Sequence, residues 1–523
     1  MRLILPLIAA GMTLGLAACG NSSNEATASP AQAATGEVEG VSYDVLLSAE
    51  LDGEDISFTV HEPDTLVNGA SYPLVLHSHG YGGARQAARP SGGLLSDLLA
   101  NGYGVLSVDE RGHNQAGGTI RILDPTKEGQ DWLQILDWAE AELAWLAYDD
   151  GNPIIGATGG SYGGGFQHLV YALDAKHRLD AIAPDITWHD LRYSLFSGGV
   201  FKSMWATLLS AVGNNPAANN RQDAEVNEGL TQGQTTNNLD DDKLALLYQN
   251  SLRSHCEGNN ATTAPGGLQP IDAFITQSHL DTLFNFNDAY HNFECLRALG
   301  GDVRLFTKAT GHGLDNGDGG QNCGALERDA ATLAWFDEKL KGRVGAADSI
   351  PQICLNLGSE GADAVTPTTI TVGGSSFAID QQTITVGEGN PNIVYVPLYT
   401  APADGDVLAG IPTIQLTLAD PITGAENPAL DPILFIGLGL QAAGGSAPTS
   451  SLMNQVRPFR GYGQFDEELV GVMTRMSEGD QIVLMLHASH SQQYPGSGSL
   501  TPATLLVDAN VALPLLGPTP PTP

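Results

Sequence analysis

The feature that most restricts this 523-residue chain is the pentapeptide Gly159-Gly160-Ser161-Tyr162-Gly163. It follows an apolar run, 152–158, that reads as a buried strand, and it precedes a helical stretch, 166–174. Small residues on both sides let the chain turn sharply and lift the Ser161 hydroxyl out of the sheet. The helix N-terminus behind it favours developing negative charge. This arrangement calls for a parallel sheet flanked by helices, so the pentapeptide bears on fold class as well as on a nucleophile.

The surrounding sequence agrees. Strand-like runs at 72–78, 104–109 and 179–186 alternate with helical stretches at 94–101 and 132–145. The pattern breaks over 189–265, where helical pieces separated by Asn/Gln-rich loops read as an inserted cap. It resumes with strands at 270–276 and 303–307 and helices at 289–299 and 326–340. From residue 344 helical periodicity stops. Short β-rich runs follow, most of them separated by Gly, Asn, Asp or Pro, and predict an all-β sandwich or jelly roll over 344–515. The repeated Thr-Ile-Thr-Val-Gly at 369–373 and 383–387 predicts one hairpin, and 516–523 a disordered tail. The expected organisation is thus an α/β domain at 41–343 followed by the β domain.

Acidic residues outnumber basic ones 59 to 23, a net charge of −36, which disfavours nucleic acid and anionic lipid headgroups as partners. The N-terminus carries an address. Arg2 and the apolar run 3–18 have the layout of a signal peptide, ending in Leu16-Ala17-Ala18-Cys19-Gly20, which resembles a bacterial lipobox. Cleavage before Cys19 and diacylation of its sulfur would anchor the chain in the bacterial cell envelope, on the periplasmic side of the outer membrane or at the cell surface, with 19–40 as a flexible tether. Four other cysteines, Cys256, Cys295, Cys323 and Cys354, predict two disulfides in an oxidising compartment, with three connectivities open. No Cys/His cluster has zinc spacing, so no metal is assigned.

A serine nucleophile needs a base and an orienting acid, in the order Ser, Asp/Glu, His for such a sheet. Asp281 follows the strand ending at Thr276, and His312 lies in Ala309-Thr310-Gly311-His312-Gly313, just past the next strand. His279 is the alternative base, and Asp302 and Asp315 the alternative acids, each less well placed in order or on a strand end. The loop His79-Gly80-Tyr81-Gly82-Gly83 and the residue after the nucleophile make the backbone N–H groups of Tyr81 and Tyr162 the expected oxyanion donors, with the Tyr81 hydroxyl as a further one. Trp188, Tyr193, Phe201 and Trp205, at the start of the cap, are candidates to line an acyl pocket. Asp240-Asp241-Asp242 reads as a helix start rather than as a receptor for a substrate amine, and Glu128 and Asp131 as first-turn helix acids.

Together, Gly159-Gly-Ser-Tyr-Gly-Gly, the Asp109-Glu-Arg-Gly loop, Glu128-Gly-Gln-Asp131 before a Trp-containing helix, Asp281 and His312 resemble the Xaa-Pro dipeptidyl-peptidase / cocaine-esterase family of serine hydrolases over about residues 41–515. The resemblance implies an α/β-hydrolase core with a helical cap ahead of the acid and a C-terminal jelly roll. It implies acyl transfer from a small ester or peptide substrate, with no cofactor. The alternative from another class is a surface binding or adhesion lipoprotein that uses the jelly roll on an inactive core. Oligomeric state is not legible.

Overall fold

Ten strands form one twisted sheet: β1 (Ser42–Ser48), β2 (Asp55–His61), β3 (Leu74–Ser78), β4 (Gly104–Asp109), β5 (Ile155–Gly160), β6 (Leu179–Asp185), β7 (Asp272–Ser278), β8 (Val303–Lys308), β9 (Ile353–Asn356) and β10 (Ala364–Val365). Their spatial order is β10-β9-β8-β7-β6-β5-β3-β4-β2-β1. β3 to β9 run parallel, and β1, β2 and β10 pair antiparallel at the two edges. This computed structural model describes residues 36–313, 320–358, 363–427, 429–448 and 450–519; the signal segment, Cys19, most of the tether, Asp315 and residues 520–523 lie outside them.

Strands covered on both faces read as continuous apolar runs, and β3, β4 and β5 are almost wholly buried. Helices α1 (Gly93–Ala100), α2 (Glu128–Glu142) and α3 (Tyr162–Leu173) connect the first half. The insertion between β6 and β7 contains α4 (Leu191–Phe196), α5 (Ser203–Gly213), α6 (Ala224–Thr236), α7 (Asp241–Gln249) and α8 (Leu252–Cys256). Asp240 is the N-cap of α7, with Asp241 and Asp242 in its first turn. Two further helices, α9 (Phe286–Ala298) and α10 (Arg328–Lys339), complete the layers. The chain passes from β4 across β3 to β5, so the C-terminal ends of β3 and β5 meet where the strand order reverses, the usual place for a site in such sheets.

The cysteines pair as Cys256–Cys295, tying the cap to α9, and Cys323–Cys354, tying the segment after His312 to β9.

Beyond the sheet, the paired strands among the described residues are antiparallel. Two four-stranded sheets share an apolar core that includes Ile384, Leu416 and Val507 from one and Leu434, Ile436 and Leu484 from the other. A three-stranded sheet (Asp406–Gly410, Val472–Met476, Leu515–Pro518) joins the two cores, sending Leu408, Val472 and Met476 into this one and Val407, Ala409 and Met473 into the core of the α/β layer.

Two boundaries and one pairing differ from expectation. The central sheet continues past residue 343, because Leu305 and Phe306 of β8 pair with Ile353 and Cys354. Those short apolar runs have the same texture as the β domain, which hides the transition. Leu515–Pro518 is a strand paired with Asp406–Gly410, not the start of a tail. The repeated Thr-Ile-Thr-Val-Gly forms no hairpin: its second copy lies in a strand, Ser375–Val386, that pairs with Ala503–Leu513, while Val372 of the first bridges to Ile411.

Candidate active site

Ser161 sits between β5 and α3 with φ 58° and ψ −118°, a backbone state that costs free energy for a residue with a Cβ and that the surrounding packing imposes. The glycines around it are dictated by close approach. A Cβ on Gly159 would lie 2.5 Å from the Gly163 carbonyl oxygen, and one on Gly163 would lie 2.2 Å from that of Ser78. The Ser161 N–H donates to the Asp185 carbonyl at 2.9 Å, which fixes the turn to β6. Beneath it the buried Asp185 carboxylate accepts from Lys308 Nζ at 2.6 Å. Burial opposes that charge, but Lys308 and Arg328 outweigh it and hold the carboxyl below its usual range.

The structure brings the three expected residues together. Ser161 Oγ lies 2.9 Å from His312 Nε2, and His312 Nδ1 lies 2.5 Å from Asp281 Oδ2. Asp281 is fully buried, and its Oδ1 accepts from the backbone N–H groups of Leu283 and Phe284 at 2.8 and 3.0 Å. Ser278 Oγ ties the base loop to the acid loop, accepting from the N–H of Leu280 at 3.2 Å and of Gly311 at 2.9 Å. Phe284 and Trp205 present their rings edge-on to His312, at 5.1 and 5.5 Å between centroids. His279 is buried beside the acid, and burial pushes its imidazole down to about 4. Asp302 is engaged by Arg304 and Lys339 at the far end of β8.

The loop after β3 packs beside Ser161: a Cβ on Gly80 would make ordinary van der Waals contact with Ser161 Cβ, at 3.9 Å. Two histidines brace this loop. His79 Nε2 accepts from the Glu110 N–H at 3.1 Å, and His113 Nε2 accepts from the Gly82 N–H at 3.1 Å. Burial lowers both imidazoles, His113 to about 3, so each stays neutral and able to accept. Arg85, buried against Asp109, anchors the far side. The Tyr162 N–H begins α3 and has no helical carbonyl to bond. The Tyr81 hydroxyl, expected as a further oxyanion donor, instead donates to Gln222 Oε1 of the cap at 2.7 Å.

An apolar pocket opens from Ser161 into the cap, lined by Trp188, Phe201, Leu209, Leu230, Leu283 and Phe284 among others. Trp188 and Phe201 are therefore where the sequence placed them. Trp205 stands against His312 instead and donates through Nε1 to Thr282 Oγ1 at 3.0 Å. Tyr193 is not part of this pocket. It bonds Asn285 and lines a separate polar cleft with His189 and Arg457, because α4 turns that face toward α9 and the β domain. Among the described residues lining the apolar pocket the one carboxylate is Glu225, paired with Arg121 at 3.0 Å and Lys243 at 3.7 Å.

Sequence reasoning missed two residues that grip the acid loop. Lys202, buried ahead of α5, donates through Nζ to the carbonyls of Thr282 and Leu283 at 2.9 and 3.2 Å. Gln455, buried in the β domain, donates through Nε2 to the carbonyls of Asp281 and His279 at 2.8 and 3.3 Å. The only signal for Lys202 is a lone cation in the apolar stretch from Val200 to Trp205, and nothing local marks Gln455.

Comparison with known proteins fits this geometry. The family described as X-Pro dipeptidyl-peptidase (S15 family) matches residues 52–314. An uncharacterized 31.7 kDa protein from the traX-finO intergenic region of Escherichia coli is 25% identical over 179 residues, which is 34% of this chain and 58% of that protein. The chain therefore spans less than two thirds of that relative's length. The fold matches a crystal structure of a CocE/NonD family hydrolase from Staphylococcus aureus with TM-score 0.61 at 14% identity, covering 91% of this chain and 94% of that one. It also matches an aminopeptidase from a marine sediment Thaumarchaeota archaeon, with TM-score 0.61 at 13% identity, covering 91% and 96%.

Proposed function

The chain belongs to the X-Pro dipeptidyl-peptidase (S15) family of serine hydrolases, and on that premise we propose that it hydrolyses esters of bulky apolar acids through an acyl-enzyme on Ser161. The observation that carries this reading is the continuous line from Asp281 through His312 to Ser161, opening directly on an apolar pocket. His312 Nε2 takes the Ser161 proton as Oγ attacks the carbonyl, and the Tyr81 and Tyr162 N–H groups receive the oxyanion. His312 then protonates the leaving group, and water, deprotonated by the same nitrogen, releases the acid. Asp281 holds the Nδ1–H tautomer and stabilises the imidazolium.

A dipeptidyl-peptidase must also receive a substrate ammonium. Among the described pocket residues, the one carboxylate, Glu225, is already paired with Arg121 and Lys243, which favours the ester reading. From the lipobox at Cys19 we further propose export and lipid anchoring in the cell envelope. The test is a panel of p-nitrophenyl esters beside Xaa-Pro-p-nitroanilides, with fluorophosphonate labelling of wild type and Ser161→Ala. Labelling that needs Ser161, and faster turnover of aromatic and branched acyl esters than of the anilides, is expected. Preferred cleavage of the anilides overturns the ester assignment, and labelling that persists in Ser161→Ala overturns the nucleophile.

A further inference from the structure

We propose that Lys202 is a positioning residue for the catalytic acid, acting through two peptide groups rather than by direct contact. The inference rests on the triad reading above. Lys202 Nζ donates to the carbonyl oxygens of Thr282 and Leu283. The amide hydrogens of those same two peptide units belong to Leu283 and Phe284, and both donate to Asp281 Oδ1. The other carboxylate oxygen faces His312 Nδ1. An ammonium on the carbonyl side of a peptide group polarises it and strengthens the hydrogen bond its N–H makes on the far side. Two such units lie side by side here, so the charge of Lys202 is delivered to Asp281 as two sharpened donors in fixed positions.

The surroundings fit this role. Lys202 is 3% exposed, and among the described residues no carboxylate oxygen lies within 4.0 Å of its Nζ. The charged groups that act on it are Asp288 of α9 and Asp281 itself. Asp288 accepts from the N–H groups of His189 and Asp190 and from Ser194, and burial raises its carboxyl to about 7. A buried cation without a direct partner is costly unless its charge compensates another nearby. Burial lowers the Lys202 ammonium to about 8, so the charge is present at neutral pH and is lost just above it.

The test compares wild type with Lys202→Met, which keeps length and removes charge and donors, and with Lys202→Arg, which keeps charge. Near-UV circular dichroism establishes the fold of each. In Lys202→Met we expect kcat to fall 10- to 100-fold with KM within twofold, on the scale of a catalytic group displaced or mis-polarised. The acid limb of kcat/KM moves, because the acid that stabilises the imidazolium formed in the reaction has then lost its compensating cation. Lys202→Arg recovers most of the rate and the limb. A readout independent of turnover is the downfield proton resonance of the His312–Asp281 hydrogen bond. It should move in Lys202→Met and, in wild type without any substitution, show an inflection near pH 8 that is absent from Lys202→Met. A folded Lys202→Met with unchanged limb and unchanged resonance overturns the proposal, and so does a wild-type resonance flat through pH 8. Should wild type fail to hydrolyse the ester panel, the substrate reading fails while the resonance still decides the role of Lys202.

Discussion

Adding one methyl group at Gly163 tests whether the nucleophile turn depends on the contact between α3 and the end of β3. In Gly163→Ala the new Cβ would stand 2.2 Å from the Ser78 carbonyl oxygen and 2.8 Å from its carbon. Contacts under 3.0 Å are essentially unseen, so the two segments must part by about 0.8 Å. Neither side yields cheaply. Ser78 ends a central strand paired on one side with β4 and on the other with β5, and its hydroxyl is bonded to Glu110. Overpacking of this kind costs roughly 1–3 kcal/mol. The displacement also separates the nucleophile from the loop carrying Tyr81, and a misplacement of about 1 Å costs on the order of 10² in rate. Ester turnover, fluorophosphonate labelling rate and a denaturant titration measure these together. Gly229→Ala in α6 is the control for stability, because its Cβ meets only the Lys243 side chain, at 3.6–4.0 Å. Relief of the helical glycine should stabilise that variant by up to about 1 kcal/mol. A Gly163→Ala protein with wild-type stability and more than a third of wild-type turnover refutes the argument.

Four other outcomes follow from the same geometry. Ser161→Ala and His312→Ala each lower kcat by roughly 10⁴-fold or more, while His279→Ala keeps most activity; the reverse pattern for the two histidines reassigns the base. Non-reducing peptide mapping should find Cys256–Cys295 and Cys323–Cys354, with sequence separations of 39 and 31. Loops of that size correspond to about 4 kcal/mol each in the chain-entropy model, so a reducing agent should lower the unfolding midpoint markedly. Burial raises the carboxyls of Glu110 and Glu128 to about 8, so both favour the folded state while protonated. That stability is complete below the ordinary carboxylate range and is lost as pH rises toward 8, and Glu110→Gln should flatten the decline in denaturant titrations. A chain ending at residue 344 should be inactive and aggregate, because it lacks β9, β10 and Gln455 as well as the β domain; a soluble, active product contradicts this.

The core of the site was legible because each member obeys a positional rule. Ser161 closes a strand and opens a helix, and Asp281 and His312 stand in the loops after β7 and β8. Those rules act within a few residues and survive in a single sequence, even though β6 and the cap intervene between Ser161 and Asp281. What escaped depends on contacts across the fold. Lys202 reaches the acid loop over 80 positions, and Gln455 reaches it over 174. Tyr193 was misplaced because a six-residue helix has too little sequence to say which face meets the pocket. β9 and β10 were assigned to the following domain because short apolar runs look alike whichever sheet they join.

The grip of Gln455 on the acid loop carries a consequence for how the protein is made. A nascent chain emerges N-terminus first, so Ser161, Asp281 and His312 are all synthesised well before Gln455. The strands that carry Val407, Ala409 and Met473 into the α/β core also arrive late. Until they dock, the carbonyls of Asp281 and His279 lack a partner and one side of the core is bare. On the proposed reading, hydrolytic competence is expected only after the β domain has docked. An interrupted translation product or a proteolytic fragment from the N-terminal side would carry Ser161, Asp281 and His312 and is expected to be inactive.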